Sequence, residues 1–349
     1  MALRGFGAAL TDRLTPASEP TAFAVGEEQF NRRLHHEHAL LASAPELWRV
    51  GLHLRDELEA QLGSLARRID PSRPWRDLVE HLREQAPVDA PTLAAQYRAE
   101  VARARAFCDT EAWVTVPEAP LEVAETPTWL RPLAPASWYR AAPPSLPDQA
   151  ARLFLTEPAA GVGEAARARL LREHVVHVVP WHAVHDGIPG HHARAAAARE
   201  LSLVRRYLRS PLTFDGWAAY AEHEMAEAGF GPSLESRLFH LVRRLTDAVL
   251  VDLDIGLHTR GLAASEAVEE LVRRVPVERR HAEAEVLRLC QGPTYGLCAA
   301  IGHRELVALR DAWRARAGGR YVAREFHDAV LSYGALPPSL IRWGMGLEG

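Results

Sequence analysis

Apolar residues return at helical spacing over most of the chain. Ser43-Ala44-Pro45-Glu46 has the form of a capping box with proline in the first turn. It opens a run in which Leu47, Val50, Leu54, Leu58, Leu62 and Leu65 recur every three or four positions, the stripe of an amphipathic helix. Asp70-Pro71 ends that helix, and Pro91 begins another through Ala94, Tyr97, Val101 and Phe107. On a helix before these, His35, His36 and His38 sit beside Glu37; with no separate acidic or cysteine partner they are expected on a solvated face. Between 117 and 158 the pattern changes. Nine of the 24 prolines fall there, and β-prone pieces at 113–116 and 152–156 flank the segment. This predicts irregular chain with one or two short strands, joining two helical halves and walling a cleft. Helical periodicity then resumes, with helices expected at 164–178 and 193–208 and a further one carrying Asp215 and Glu222.

The expected architecture is therefore mainly α, with a few short β-strands and an active cleft between two helical halves. Residues 1–22 read as a flexible N-terminus and 23–349 as a single domain. Within it, 23–116 supplies the first helices, 117–160 the proline-rich bridge and 161–349 the helices of the site. A chain of 349 residues with 48 % hydrophobic content can bury a large core.

Charge and cysteine content remove several function classes. A net charge of −4 offers no basic footprint for nucleic acid and no polybasic patch for a membrane surface. No apolar run approaches the roughly 18 residues of a membrane span, and residues 1–22 lack the apolar stretch of a signal peptide. Cys108, Cys290 and Cys298 are odd in number and show no CxxC spacing, which suits reduced thiols. Together these features lead us to expect a cytoplasmic protein that acts on a small molecule or peptide.

The candidate chemistry is concentrated at Val184-His185-Asp186-Gly187-Ile188-Pro189-Gly190-His191-His192. Six of the seventeen histidines lie between His174 and His192, and neutral imidazole is a preferred ligand of zinc and similar metals. In the zinc-peptidase pattern HExxH the two histidines lie one helical turn apart and share a face. Here His185 and His191 are six apart, about 600° of rotation in a regular helix, so they would face different ways. Proline removes a helical hydrogen bond and glycine tolerates unusual dihedrals. We therefore read the stretch as HExxH with two residues inserted as a bulge that returns His191 to the side of His185. His182, three residues earlier, is expected to support or pack against the site.

These residues also carry a family resemblance. HDGIPGHH resembles the HExxPGHH signature, and Phe214–Glu222 (FDGWAAYAE) the EGWALYAE signature, of the bacterial "domain of unknown function 885" proteins. The likeness continues through 254–258, 282–296 and 324–341, and more weakly at 24–34. It implies a mainly helical, thermolysin-like metallohydrolase that uses one divalent ion, zinc first, with iron or manganese as the other candidates. By this resemblance His185, His191 and Asp215 hold the ion, Asp186 is the general base and Glu222 orients a histidine or a substrate amine. The reverse assignment, with Glu222 as ligand, stays open because Asp215 and Glu222 are seven apart and one ion cannot take both directly. Tyr295 and His258 lie in matching blocks and are candidates to stabilise a developing oxyanion, whereas His327 reads as structural. Asp186 and Asp215 stand where the family has glutamate, and Arg194 where it has glutamine. The two shorter acids leave a second enzyme class open. Two histidines and an aspartate also form the facial triad of non-haem iron oxygenases. A non-catalytic metal- or ligand-binding relative is the third reading.

Overall fold

The capping box closes as the sequence implies: Ser43 N donates to Glu46 Oε2 at 2.8 Å. Helix α1 (Gly26–His38) precedes it, and α2 (Ala44–Ile69) follows with Leu47, Leu58, Leu62 and Leu65 on its buried face. The computed structural model describes residues 5–9, 21–85, 90–134, 136–146, 148–158 and 161–347. Most of the segment expected to be flexible, 1–22, lies outside the described residues. His35 and His36 are exposed as expected, but His38 is buried and its Nε2 meets Thr294 Oγ1 at 2.9 Å. It lies at the last turn of α1, where the helix meets the loop before Cys298, so the solvated-face expectation fails for this residue.

After α3 (Trp75–Gln85) and α4 (Ala90–Thr110), the proline-rich bridge forms a sheet of β1 (Leu121–Glu125), β2 (Ser137–Arg140) and β3 (Ala151–Leu155). The order is β1-β3-β2, with β1 parallel and β2 antiparallel to β3. Residues 152–156 fall largely in β3, but 113–116 form no strand. Thr115 instead gives its N–H and hydroxyl to Asp328, and Trp113 O accepts from His327 Nδ1 at 2.6 Å. Side chains of a later helix thus satisfy this backbone in place of a ladder partner.

The remaining elements are α5 (Glu164–Leu171), α6 (Val179–His182), α7 (His191–Ala197), α8 (Leu203–Tyr207), α9 (Pro211–Glu227), α10 (Leu234–Thr259), α11 (Ala264–Arg274), α12 (Arg279–Gln291), α13 (Cys298–Ala317), α14 (Ala323–Ser332) and α15 (Pro338–Gly344). The helix expected over 164–178 stops at Leu171. A β-branched run at Val175, Val176, Val178 and Val179 disfavours continuation, and Pro180 is accommodated only in a first turn, so the chain restarts as α6. The helix expected over 193–208 is also broken. It tightens at Ala198–Glu200, and Arg206 Nε folds back to Leu201 O at 2.9 Å across the break before α8.

Both helical halves contribute to one core, in which Leu58 and Leu62 of α2 meet Trp217 of α9, Leu245 of α10 and Phe326 of α14. The tightest crossing is between α9 and α13. A Cβ on Gly216 would lie 2.5 Å from Gly302 Cα, and one on Gly302 would lie 2.0 Å from Leu212 O. Glycine at both positions lets the two backbones touch, which seats the helix bearing Asp215 and Glu222 against the rest of the core.

Candidate metal centre

The inserted bulge is real, and it has a backbone mechanism. Ala183–Gly187 forms a π-helical turn, which accommodates an extra residue per turn and re-aims the side chains beyond it. The Ile188–Pro189 peptide is cis, and Gly190 N returns to Val184 O at 3.0 Å. A Cβ on Gly190 would lie 2.0 Å from His185 O, so only glycine permits this close return. His191 then opens α7. Trp217 Nε1 donates to Pro189 O at 2.8 Å, which ties the reversal to α9. As a result the His185 and His191 rings are 4.8 Å apart and perpendicular.

Donor atoms of His185, Asp186 and His191 all lie within 4.8 Å of one another. In a tetrahedral shell, donors about 2.1 Å from one ion lie about 3.4 Å apart, so this trio would have to close by up to about 1.4 Å to hold an ion. Asp215 Oδ1 lies 3.7 Å from His191 Nε2 but is not part of that tight group. Glu222 has another engagement. Its Oε1 accepts from His185 Nδ1 at 2.5 Å, and both its oxygens accept from Arg243 at 2.9 and 3.0 Å. With Nδ1–H so committed, His185 presents Nε2 to the cavity. This is the carboxylate–histidine arrangement that fixes the tautomer of a metal ligand. Of Asp215 and Glu222, Asp215 is therefore the one left available to an ion.

Burial dominates the electrostatics. It raises the pKa of Asp186, against the opposing pull of His185 and of a hydrogen bond from Ser137 Oγ at 2.8 Å. Burial also pushes Asp215 up to about 6. Burial would by itself lower His185, but the Glu222 carboxylate outweighs it and the pKa rises. His191 is held well below its usual value by burial and by the neighbouring His185, so it is a neutral imidazole, and its Nδ1 has no hydrogen-bond partner among the described residues. Glu222 is kept ionised, because Arg243 and His185 overcome the cost of burying it. The result is a cluster of His185, Asp186 and His191 with a second desolvated carboxylate, Asp215, 3.7 Å from His191, a donor set of the kind divalent cations take.

The cleft holding these groups measures about 340 Å³. Tyr295, which is 41 % exposed, lines it from the turn before α13, and the negative charge of Asp215 holds its hydroxyl well above the usual pKa. His182 also faces the cleft, with Nδ1 2.7 Å from Tyr97 Oη. His192 points elsewhere, toward Ala119 O and Tyr139. His258 does not join the site. It is buried against Phe23 and Phe30, with Nε2 2.9 Å from Leu289 O, so the oxyanion role expected for it is withdrawn. His327 is structural, held between Trp113 O and Tyr220 Oη.

Sequence reasoning missed Ser137, Tyr139 and Arg243. Ser137 and Tyr139 are two apart on β2 and so share a face of the strand. Ser137 reaches Asp186, and the Tyr139 ring lies parallel to His191 at 6.0 Å. The alternation in 137–140 was a usable signal for a strand but named no partner. Arg243 is one arginine among 41 basic residues, and nothing local distinguishes it.

A family model described as "Bacterial protein of unknown function (DUF885)" matches residues 1–345. No curated protein matches the chain. Two solved structures share the fold. One is described as "a putative lipoprotein of unknown function from Shewanella oneidensis", with a TM-score of 0.82 and 22 % identity over 98 % of this chain. The other is described as "the putative lipoprotein from Colwellia psychrerythraea", with a TM-score of 0.84 and 19 % identity over 99 % of this chain. This chain spans 63 % and 59 % of those two proteins. Both are described as putative lipoproteins, which overturns the expected cytoplasmic location. Among the described residues no helix is long and apolar enough to cross a membrane.

Proposed function

Since this chain belongs to the bacterial DUF885 family, whose model covers residues 1–345, we propose that it is a metal-dependent hydrolase of a peptide, amino-acid amide or related carbonyl compound. The observation that carries this reading is the reversal at 183–191, which gathers the donors of His185, Asp186 and His191 within 4.8 Å inside a buried cleft. His185 and His191 are the histidine ligands, and Asp215, facing His191, is the third. A divalent ion held there, zinc in the first instance, would supply Lewis-acid chemistry toward a water and a carbonyl.

The protein groups divide the remaining work. Asp186, raised by burial and held by Ser137 through one oxygen, has its other oxygen free to receive a proton. Glu222 fixes the His185 ring, and Arg243 fixes Glu222. Tyr295 supplies a protonated hydroxyl at the cleft wall, suited to stabilising negative charge on a substrate oxygen.

The direct test is the metal content of protein purified without a histidine tag or added metal. One divalent ion per chain is expected, with release of an amine from simple aminoacyl amides. Protein that stays metal-free when offered zinc, manganese or ferrous iron would sink the proposal. Iron accompanied by oxygen uptake would replace it with the oxygenase reading.

A further inference from the structure

A second cavity of about 460 Å³ adjoins the cleft, and Tyr139, Phe214, Asp215 and Tyr295 line both. Six arginines line it; Arg140 lies over the Phe154 ring at 5.7 Å, and three others are occupied. Arg199 pairs with Asp148 at 2.7 Å, Arg205 donates to Tyr333 O at 3.0 Å and Arg206 to Leu201 O at 2.9 Å. Arg194 and Arg209 differ. Their guanidinium carbons sit 4.0 and 4.1 Å from the centre of the Phe214 ring, which also stacks on His191 at 4.3 Å. Among the described residues neither has a carboxylate within 4.0 Å, and neither donates a side-chain hydrogen bond. Arg194 is only 5 % exposed, and its buried Nε has no partner.

A buried guanidinium without an anion is costly, because desolvation is not offset by pairing. Stacking on Phe214 recovers part of that cost but leaves the donor edge of Arg194 unsatisfied. An oxyanion entering from solvent would complete it, since the planar guanidinium fork matches carboxylate and phosphate oxygens. Arg209 lies at the exposed rim, and a backbone bridge to Ala335 holds its position. Phe214 connects the two sites physically, because one ring contacts both the arginines and His191.

We propose that this cavity binds the oxyanionic end of the substrate, a carboxylate or phosphate, so that the centre at His185 and His191 acts on acidic rather than neutral molecules. The inference rests on the hydrolase reading for what happens next, but binding can be measured without it. The probes are N-benzoylglycine, the uncharged N-benzoylglycinamide of nearly the same shape, and inorganic phosphate. Each is titrated calorimetrically into the full chain as purified and into its His185→Ala variant. A charge-assisted pair should favour the acid over the amide by about tenfold or more in both proteins. Arg194→Gln and, independently, the rim change Arg209→Ala should reduce that preference severalfold; the second keeps the test valid if the first fails to fold.

Phosphate binding that is lost in the same variants would assign a phosphorylated substrate, and benzoylglycine selectivity without phosphate binding a carboxylate. Equal affinity for acid and amide with no phosphate binding overturns the proposal, as does a preference unchanged in both arginine variants. If the unmutated chain takes up no divalent ion yet shows the preference, the pocket stands while the hydrolase reading falls.

Discussion

The rings of His185 and His191 are centred 4.8 Å apart; those of His223 and His303 are 5.0 Å apart, with His240 6.2 Å from His223. Both groups sit among packed helices, and both contain ring nitrogens without hydrogen-bond partners. They differ in what surrounds them. The first group has Asp186 within reach, Asp215 beside His191, and Glu222 on His185 Nδ1. The second has no carboxylate hydrogen bond or ion pair among the described residues. Burial, followed by Arg244, lowers His223 to about 3, and burial with the nearby His223 holds His303 well below its usual value. Proximity of imidazoles is therefore not enough. Carboxylates must orient the rings and offset the charge of an ion.

The largest expected effect separates the two groups outright. His185→Ala and His191→Ala should each abolish metal retention in protein that still gives a helical circular dichroism spectrum, while His223→Ala and His303→Ala should keep the ion. Retention in the first pair, or loss in the second, would dissolve the distinction. The two aspartates provide the next test. Asp186→Asn should hold its metal but lose about 100- to 10,000-fold in turnover, because an amide cannot accept the proton. Asp215→Asn should lose the metal itself. If elemental analysis finds the reverse, the ligand and the base must be exchanged.

Glu222 sharpens the comparison more gently. Glu222→Gln keeps the shape of the side chain but removes the charge that orients His185, and metal affinity should fall about 10- to 100-fold in a competition assay with a chelating dye. An unchanged affinity would show that orientation of His185 does not depend on this carboxylate. A last effect belongs to the buried histidines as a class. Burial holds His174 and His327 near 4 and His240 near 3, below the ordinary value of 6.5, so the folded state binds fewer protons than the unfolded one. Their contribution is fully present above pH 6.5 and is lost as pH falls from there toward 4. The thermal midpoint should decline over that interval in chelator-treated protein, and a midpoint that stays level would contradict the neutral burial.

The legible parts of the chain were those with local causes. The capping box and stripe of α2, the strand at β3 and the bulge at 185–191 each follow from residues a few positions apart. Three failures, unlike the local break after Leu171, have a common origin in distant contacts. His38 looked solvated because Thr294, its partner, lies 256 positions away. The piece at 113–116 looked like a strand because nothing nearby announced that Asp328 and His327 would take its hydrogen bonds. The family pattern included His258 with the site because it lies in a matching block, yet it packs against two phenylalanines, with Leu289 O 2.9 Å and Asp254 Oδ1 3.7 Å from its Nε2. Which of Asp215 and Glu222 remained free could not be read from their spacing. Arg243 decided it by occupying Glu222.

The crossing of α9 and α13 has a consequence for how this protein can vary. With the backbones touching at Gly216 and Gly302, a single added methyl at either position has nowhere to go. In a survey of every single substitution, these two sites should tolerate change as poorly as His185 and His191, although neither has a side chain to offer any chemistry. A map of mutational tolerance would thus mark a second intolerant spot at the helix crossing, and reading it as catalytic would mistake a constraint on space for a constraint on reactivity.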